Sequence, residues 1–124
     1  MSEAGILHED DRQLPLRIEL IHGEIIQLPP IGRNHSAIIR RLIALLTSRI
    51  PSDTILDAQN SVLIDDHSEP DPDIVILPYQ ENYYAENGVT SEDVLLLIEV
   101  SDSTLRYDRN TKLPLYATAG IPEV

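Results

Sequence analysis

Two carboxylate side chains in this sequence lie at the ends of consecutive aliphatic runs. Asp73 precedes the run at residues 74–77, and Glu99 follows the run at residues 94–98. Aliphatic runs without polar alternation are typical of strands buried on both faces. If these two strands pair antiparallel, Asp73 and Glu99 meet at one edge of the sheet. Two carboxylates that converge there would form an oxygen-ligand site for a hard cation such as Mg²⁺.

Both carboxylates also have a structural interpretation. Asp73 could cap the start of its strand, and Glu99 could form a buried ion pair, since an unpaired buried charge is strongly unfavourable. Lys112 lies one predicted helix beyond Glu99 and can fold back over the same sheet edge. Its ammonium group would there either pair with Glu99 or neutralise the charge that develops on a phosphate during hydrolysis. The residues alone leave both interpretations open.

The elements that must position these residues begin with a predicted β-hairpin. Two strand-like segments, residues 17–21 and 24–28, flank a histidine-glycine pair that suits a tight turn. Asn34 is a candidate N-cap for an amphipathic helix that continues to about Ile50.

Further strands and a second helix are predicted after this point. Residues 54–56 and 61–64 are short strand candidates ahead of the two buried runs. A helical segment extends towards Ala119, and Pro114 should either kink it or belong to the first turn of a helix that begins near Leu113. The order of hairpin, helix, strands and helix predicts an α+β fold with helices packed on a central β-sheet.

Composition restricts the classes of function. The 124 residues include 21 acidic and nine basic side chains and no cysteine, for a formal net charge of −12. This charge argues against indiscriminate nucleic-acid binding, although Arg40 and Arg41 form a local basic pair. A thiolate metal site is excluded. Without a signal-peptide pattern or a long apolar segment, we expect a cytoplasmic protein that does not contact the membrane, with a leader at 1–13 and one domain at 14–124.

A longer pattern accompanies the two carboxylates. A glutamate precedes the first helix, Pro-Asp opens one strand, Glu-Val-Ser ends the next, and Asp108 begins the stretch Asp-Arg-x-x-Lys-Leu-Pro-Leu-Tyr-Ala-x-Ala-Gly-Ile-Pro-Glu. From about Glu19 onward the chain resembles the PD-(D/E)xK nuclease superfamily, and within it a family of restriction-endonuclease-like proteins of unknown function. The resemblance implies a restriction-endonuclease-like core, with a mixed central β-sheet, flanking helices and an N-terminal β-hairpin. Relatives continue beyond this stretch into another strand, so it also implies a chain truncated at the C-terminus that self-associates as a homo-oligomer.

The resemblance also implies roles for individual residues. Asp73 and Glu99 match the two metal-binding carboxylates of the motif. Ser101 occupies the usual lysine position, and Lys112 matches the catalytic lysine that this family carries on the following helix. Glu24 matches the family's early glutamate, which would touch the metal through water; the alternative is an exposed residue of a hairpin strand.

The leading prediction is therefore a Mg²⁺- or Mn²⁺-dependent endonuclease that hydrolyses DNA. The alternative is a nuclease-like domain that no longer cleaves and acts as a binding or assembly module, which the acidic charge and Ser101 favour. A third hypothesis is a metallohydrolase that acts on a small phosphorylated molecule. His35, at the start of the first helix, matches a recurring histidine of the family, with a capping, phosphate-contacting or structural role.

Overall fold

The computed structural model describes residues 17–28, 32–101 and 107–122. The predicted leader at 1–13 lies outside the described residues. The elements in chain order are β1 (Arg17–Ile21), β2 (Glu24–Leu28), α1 (Arg33–Thr47), β3 (Thr54–Ala58), β4 (Ile74–Pro78), a 3₁₀ helix (Ser91–Asp93), β5 (Leu96–Ile98), a π-helical turn (Asp108–Lys112) and α2 (Leu113–Thr118). This combination of helices and strands confirms the predicted α+β class.

Strands β1 and β2 form the predicted hairpin with the predicted bounds. They pair antiparallel along their whole length. His22 and Gly23 in the turn have positive φ angles of 50° and 80°, which match the twist of a two-residue hairpin turn. Along β1, Glu19 and Ile21 face inward and are buried, whereas Ile18 faces outward and is exposed. The hairpin therefore presents a carboxylate on its inner face.

Strands β3, β4 and β5 form an antiparallel sheet with β4 in the middle. Residues 74–77 are all buried, as expected for a central strand that is covered on both faces. Ile74 pairs with Ile98 across β4 and β5. The antiparallel arrangement considered from the sequence is therefore present, and Asp73 and Glu99 are the next residues beyond this pair.

The main hydrophobic core covers one face of this sheet. Val75 and Leu97 are directly opposite each other on β4 and β5 and are both buried. Tyr116 of α2 packs into the same core and is completely buried, with 0% of its surface exposed. The buried members of the core are Val62, Val75, Leu77, Tyr84, Val94, Leu97, Tyr116 and Ile121. This packing fixes α2 against the sheet.

The segment just before β4 fastens the hairpin to the rest of the molecule. The Gly23 N–H donates to the His67 carbonyl at 2.7 Å, and the Glu69 N–H donates to the Leu20 carbonyl at 2.6 Å. These hydrogen bonds, which include an isolated antiparallel bridge between Leu20 and Glu69, satisfy backbone groups of a two-stranded hairpin that joins no larger sheet in the described residues. The inner face of β1 is thereby held beside the start of β4.

Residues 61–64 do not form the predicted strand. Their backbone N–H groups donate to two different segments: Val62 and Ile64 to the carbonyls of Pro70 and Ser68, and Leu63 to that of Val89. Successive residues thus alternate between two partner segments and form no strand; the one bridge that residues 61–64 make within the described chain is an isolated parallel bridge between Leu63 and Thr90. The apolar pattern correctly indicated burial of Val62, and its interpretation as a strand is wrong.

Both helices differ slightly from their predicted bounds. Gly32, in an extended conformation, precedes α1 in place of the predicted cap Asn34, and α1 ends at Thr47. α2 begins at Leu113 as in one of the two predicted alternatives, but it directly continues the π-helical turn, so Pro114 lies within an unbroken helical stretch from Tyr107 to Thr118. Neither helix in the described parts of the chain is both long and apolar enough to cross a lipid bilayer.

Candidate active site

At the edge of the central sheet, the Glu99 side chain contacts the backbone of Asp73, and the Asp73 side chain contacts the backbone of Val100. The Asp73 N–H donates to Glu99 Oε1 at 3.1 Å. The Val100 N–H donates to Asp73 Oδ2 at 2.7 Å. Beyond the last paired residues of β4 and β5, hydrogen bonds from backbone N–H groups to the two side-chain carboxylates thus replace the backbone pairing. These bonds bring the two acidic groups together. Asp73 is only 3% exposed.

Lys112 and a third carboxylate, Glu19, complete the group. The Lys112 Nζ lies 2.5 Å from Glu99 Oε2 and 2.7 Å from Glu19 Oε2. Lys112 is contributed by the π-helical turn, and Glu19 by the inner face of β1. We refer to Glu19, Asp73, Glu99 and Lys112 as the charge cluster. Four separate segments of the chain contribute to it.

Two tyrosine hydroxyls hold the carboxylates that flank Lys112. Tyr116 Oη donates to Glu99 Oε2 at 2.8 Å, and Tyr107 Oη donates to Glu19 Oε1 at 2.9 Å. The Lys112 Nζ also lies 5.8 and 5.9 Å from the centroids of the Tyr116 and Tyr107 rings, within cation–π range. The ammonium group is therefore surrounded by two carboxylates and two aromatic rings.

Burial and charge shift the protonation equilibria in the cluster. Burial raises the pKa of Glu99 to about 7; Lys112 and the Tyr116 hydroxyl oppose the rise, and the Asp73 charge adds to it. Burial acts to lower the pKa of Lys112, but Glu99 and Glu19 outweigh it, so the pKa of Lys112 is raised. Lys112 is thus an ammonium at neutral pH, while Glu99 is poised between its protonated and ionised forms.

His35 links the first turn of α1 to Asp73. Its Nε2 atom lies 2.9 Å from Asp73 Oδ1, and the side chain is buried. An ionised carboxylate can only accept a hydrogen bond, so this contact requires the proton of His35 to be on Nε2. The sequence left open a capping, a phosphate-contacting or a structural role for His35. Within the described ranges, the start of α1 has no side-chain cap, and His35 lies against Asp73, the candidate metal ligand.

Ser101 lies where the motif usually has lysine and makes a structural contact. Its Oγ donates to Asp108 Oδ2 at 2.5 Å. Asp108 opens the π-helical turn that ends at Lys112. The serine therefore connects the segment after β5 to the turn that carries the lysine, and so helps to place the ammonium group beside Glu99.

The structure places Glu24 apart from Glu19 on the hairpin. Glu24 pairs with Ile21 beside the turn, and its side chain is exposed. Glu19 occupies the cluster instead, and the sequence interpretation did not select it. A signal was present: Glu19 alternates with Ile21 on the face of β1 that the hairpin pattern predicts to be inward, where a carboxylate needs a partner.

A cleft of about 440 Å³ opens beside the cluster. Its lining residues are Asn34, His35, Ala37, Ile38, Arg41, Val100 and Ser101. His35 and Val100 both donate hydrogen bonds to Asp73, so one wall of the cleft is in direct contact with the cluster. A ligand in this cleft would approach Asp73 from the side of α1.

The donor atoms of the cluster suit a hard divalent cation. In the part of the chain that the structure describes, no group of three or more His, Asp and Glu side chains is arranged around a common metal position. Asp73 and Glu99 supply carboxylate oxygens, and the Val100 carbonyl lies in the same segment. Mg²⁺ accepts one or two carboxylates and keeps several waters, so this oxygen set fits such an ion better than it fits zinc.

Comparison with known families gives a match over almost the whole chain. The Uma2 family model, described as "Putative restriction endonuclease", matches residues 8–124. The match includes every described helix and strand and all members of the charge cluster. A comparison with curated proteins finds no match. The two antiparallel sheets with two helices are consistent with the restriction-endonuclease-like fold expected from the sequence.

Proposed function

Because this chain belongs to the Uma2 family of restriction-endonuclease-like proteins, we propose that it is a divalent-metal-dependent endonuclease that hydrolyses phosphodiester bonds in DNA. One observation carries the proposal: Asp73 and Glu99 converge at a sheet edge with the Lys112 ammonium 2.5 Å from Glu99. Two acidic oxygen donors beside a buried cation are suited to holding a metal and a phosphate together. The predicted nuclease-like role and family thus agree with the geometry.

Asp73 and Glu99, with the Val100 carbonyl, are the groups that would hold Mg²⁺ or Mn²⁺. When bound, such an ion lowers the pKa of a water ligand and polarises a phosphoryl oxygen. The protein's part is to keep the oxygen donors in place: Tyr116 orients Glu99, and His35 and the Val100 N–H orient Asp73. Such outer partners fix the direction of ligand lone pairs.

Lys112 supplies the positive charge that Ser101 lacks. Its Nζ is shared by Glu19 and Glu99. As negative charge grows on the phosphate oxygens, this ammonium group can stabilise it with little reorganisation, because the cluster already fixes its position. Glu19 acts as a positioning residue that holds the ammonium group from the other side.

A divalent-dependent cleavage assay tests the assignment with isosteric variants. We expect Asp73→Asn to reduce cleavage of plasmid DNA in Mg²⁺ or Mn²⁺ by at least about 100-fold, because it removes a charged ligand. Asp66→Asn, an exposed loop carboxylate, serves as the control and should cleave like the wild type. Circular dichroism establishes that both variants are folded. Equal cleavage by wild type and Asp73→Asn would remove the site assignment.

A second candidate is a module that binds or assembles without cleaving. Two observations favour it: both oxygens of Asp73 already accept hydrogen bonds from protein groups, and the outer face of the hairpin exposes Ile18 and Ile25 by 55% and 72%. Exposed apolar side chains that lie together favour self-association. Calorimetric titration with Mn²⁺, combined with sedimentation, separates the candidates. Absence of metal binding together with a stable oligomer supports the module.

A further inference from the structure

The cleft beside the charge cluster has a continuous lining on α1. Asn34, Ala37, Ile38 and Arg41 have the spacing of one helical face, and all four line the cleft. Its volume of about 440 Å³ lies in the range of about 300–1,000 Å³ that is common for small-ligand sites. The cleft can therefore hold a group of nucleotide size next to a phosphate at Asp73.

Arg41 gives this cleft a positive charge. Among the described residues no ion pair involves Arg41, whereas Lys112 is occupied by two carboxylates. A second cleft of about 270 Å³ elsewhere is lined by Asp65 and includes neither lysine nor arginine. The chain has a net charge of −12, yet the larger of these two clefts, beside the candidate active site, is lined by the Arg41 guanidinium.

The rest of the lining is suited to a sugar or base. Ala37 and Ile38 form an apolar wall, and Ile38 remains 43% exposed. Asn34, also in the lining, is exposed and has amide donor and acceptor groups. A cation, an apolar wall and an amide match the phosphate, sugar and base edge of a nucleotide.

We propose that this cleft binds the nucleotide adjacent to the scissile phosphate, with Arg41 contacting the phosphate of that nucleotide. The inference rests on the proposed nuclease function, since it takes the scissile phosphate to lie at Asp73. Arg41 acts here as a substrate-binding residue that sets the position of the DNA strand in the cleft. Asp73 and Glu99 keep their separate proposed role in metal binding. Arginine suits this task because its planar guanidinium can donate two hydrogen bonds to one phosphate.

Two neighbouring arginines provide a matched test. Arg40 and Arg41 are both exposed on α1, but only Arg41 lines the cleft. Binding of a short fluorescein-labelled oligothymidylate is measured by anisotropy with EDTA present, so that metal-dependent cleavage does not intervene. We expect Arg41→Gln to raise the Kd roughly tenfold, as for loss of a charged hydrogen bond. In this variant the slope of the logarithm of the binding constant against the logarithm of the salt concentration should become less negative by about 0.7, the value for one lost phosphate contact on a single strand.

The control variants define the outcome. Arg40→Gln should change the Kd by less than about twofold, because it alters only long-range charge, and Arg41→Lys should retain more affinity than Arg41→Gln. Equal losses in Arg40→Gln and Arg41→Gln would overturn the cleft assignment, as would a wild type that binds no oligonucleotide. A wild type that binds with the expected Arg41 effect, yet cleaves in neither Mg²⁺ nor Mn²⁺, contradicts the proposed function while supporting the cleft.

Discussion

Replacement of Glu19 by glutamine removes one of the two negative charges against Lys112 and keeps the shape of the side chain. Glu19 Oε2 accepts hydrogen bonds from the Lys112 Nζ and the Asp71 N–H, both at 2.7 Å, and Oε1 accepts one from Tyr107. A glutamine can satisfy Lys112 and Asp71 with its carbonyl oxygen, while the Tyr107 hydroxyl turns to accept from the amide. The loss is then mainly that of a buried charge–charge contact.

The expected loss of unfolding free energy in Glu19→Gln is limited because Lys112 retains Glu99 as a partner. Complete loss of a buried ion pair costs about 3–5 kcal/mol, but Lys112 keeps Glu99 in this variant. We therefore expect Glu19→Gln to lower the free energy of unfolding by about 1.5–3 kcal/mol, as for one charge-assisted hydrogen bond. With a urea slope of about 1–3 kcal/mol per molar, the midpoint should fall by roughly 1 M. Equilibrium urea denaturation at neutral pH measures it.

Glu24→Gln is the matched control on the same hairpin. Glu24 is exposed in β2, so its replacement should change the free energy of unfolding by less than about 0.5 kcal/mol. The pair of variants also compares the two glutamates that precede α1. If Glu19→Gln were as stable as Glu24→Gln, the buried contact with Lys112 would not contribute as argued, and the role of Glu19 as a positioning residue would be refuted.

Two further predictions concern the pH dependence of stability between about pH 5 and 8. The pKa of Glu99 is about 7 in the folded state, above its ordinary value of 4.5, so protonation of this group favours the folded state at low pH. This contribution to the free energy of unfolding is at most roughly 3 kcal/mol, and it is lost as the pH rises through 7. Glu99→Gln should flatten the dependence in urea titrations; an unchanged pH profile would contradict the assignment. Tyr116→Phe removes a hydrogen bond to the ionised Glu99, so its destabilisation should be larger at pH 8 than at pH 5. Tyr84→Phe, which loses a hydrogen bond to the neutral Pro78 carbonyl, should show no such difference, and equal behaviour of the two tyrosine variants would exclude the mechanism.

The parts of the fold that depend on local pattern could be predicted from the sequence. The hairpin bounds follow from two short strands around His22-Gly23, where the turn sets the register. The juxtaposition of Asp73 and Glu99 follows from antiparallel pairing of two neighbouring buried strands, because that pairing leaves little freedom in which ends meet. Both deductions need only residues close in sequence and a rule about pairing.

The parts that depend on distant contacts could not be predicted. Glu19 and Lys112 are 93 positions apart and meet only because the segment before β4 fastens the hairpin beside the sheet. Val62 is buried as its pattern indicates, yet its neighbours hydrogen-bond to separate segments and form no strand. The cleft beside Arg41 depends on how α1 lies against the end of β5, which hydrophobic periodicity does not specify.

Tyr116 belongs to the hydrophobic core and also contacts the charge cluster. Its ring is fully enclosed, and its hydroxyl holds Glu99. A substitution that loosens packing around this ring would therefore also displace the Glu99 carboxylate, even when the substituted residue is remote from the charge cluster. The geometry of the charge cluster should therefore be lost together with the packing of the core, and variants that rigidify the interior should hold Glu99 in place to higher temperature.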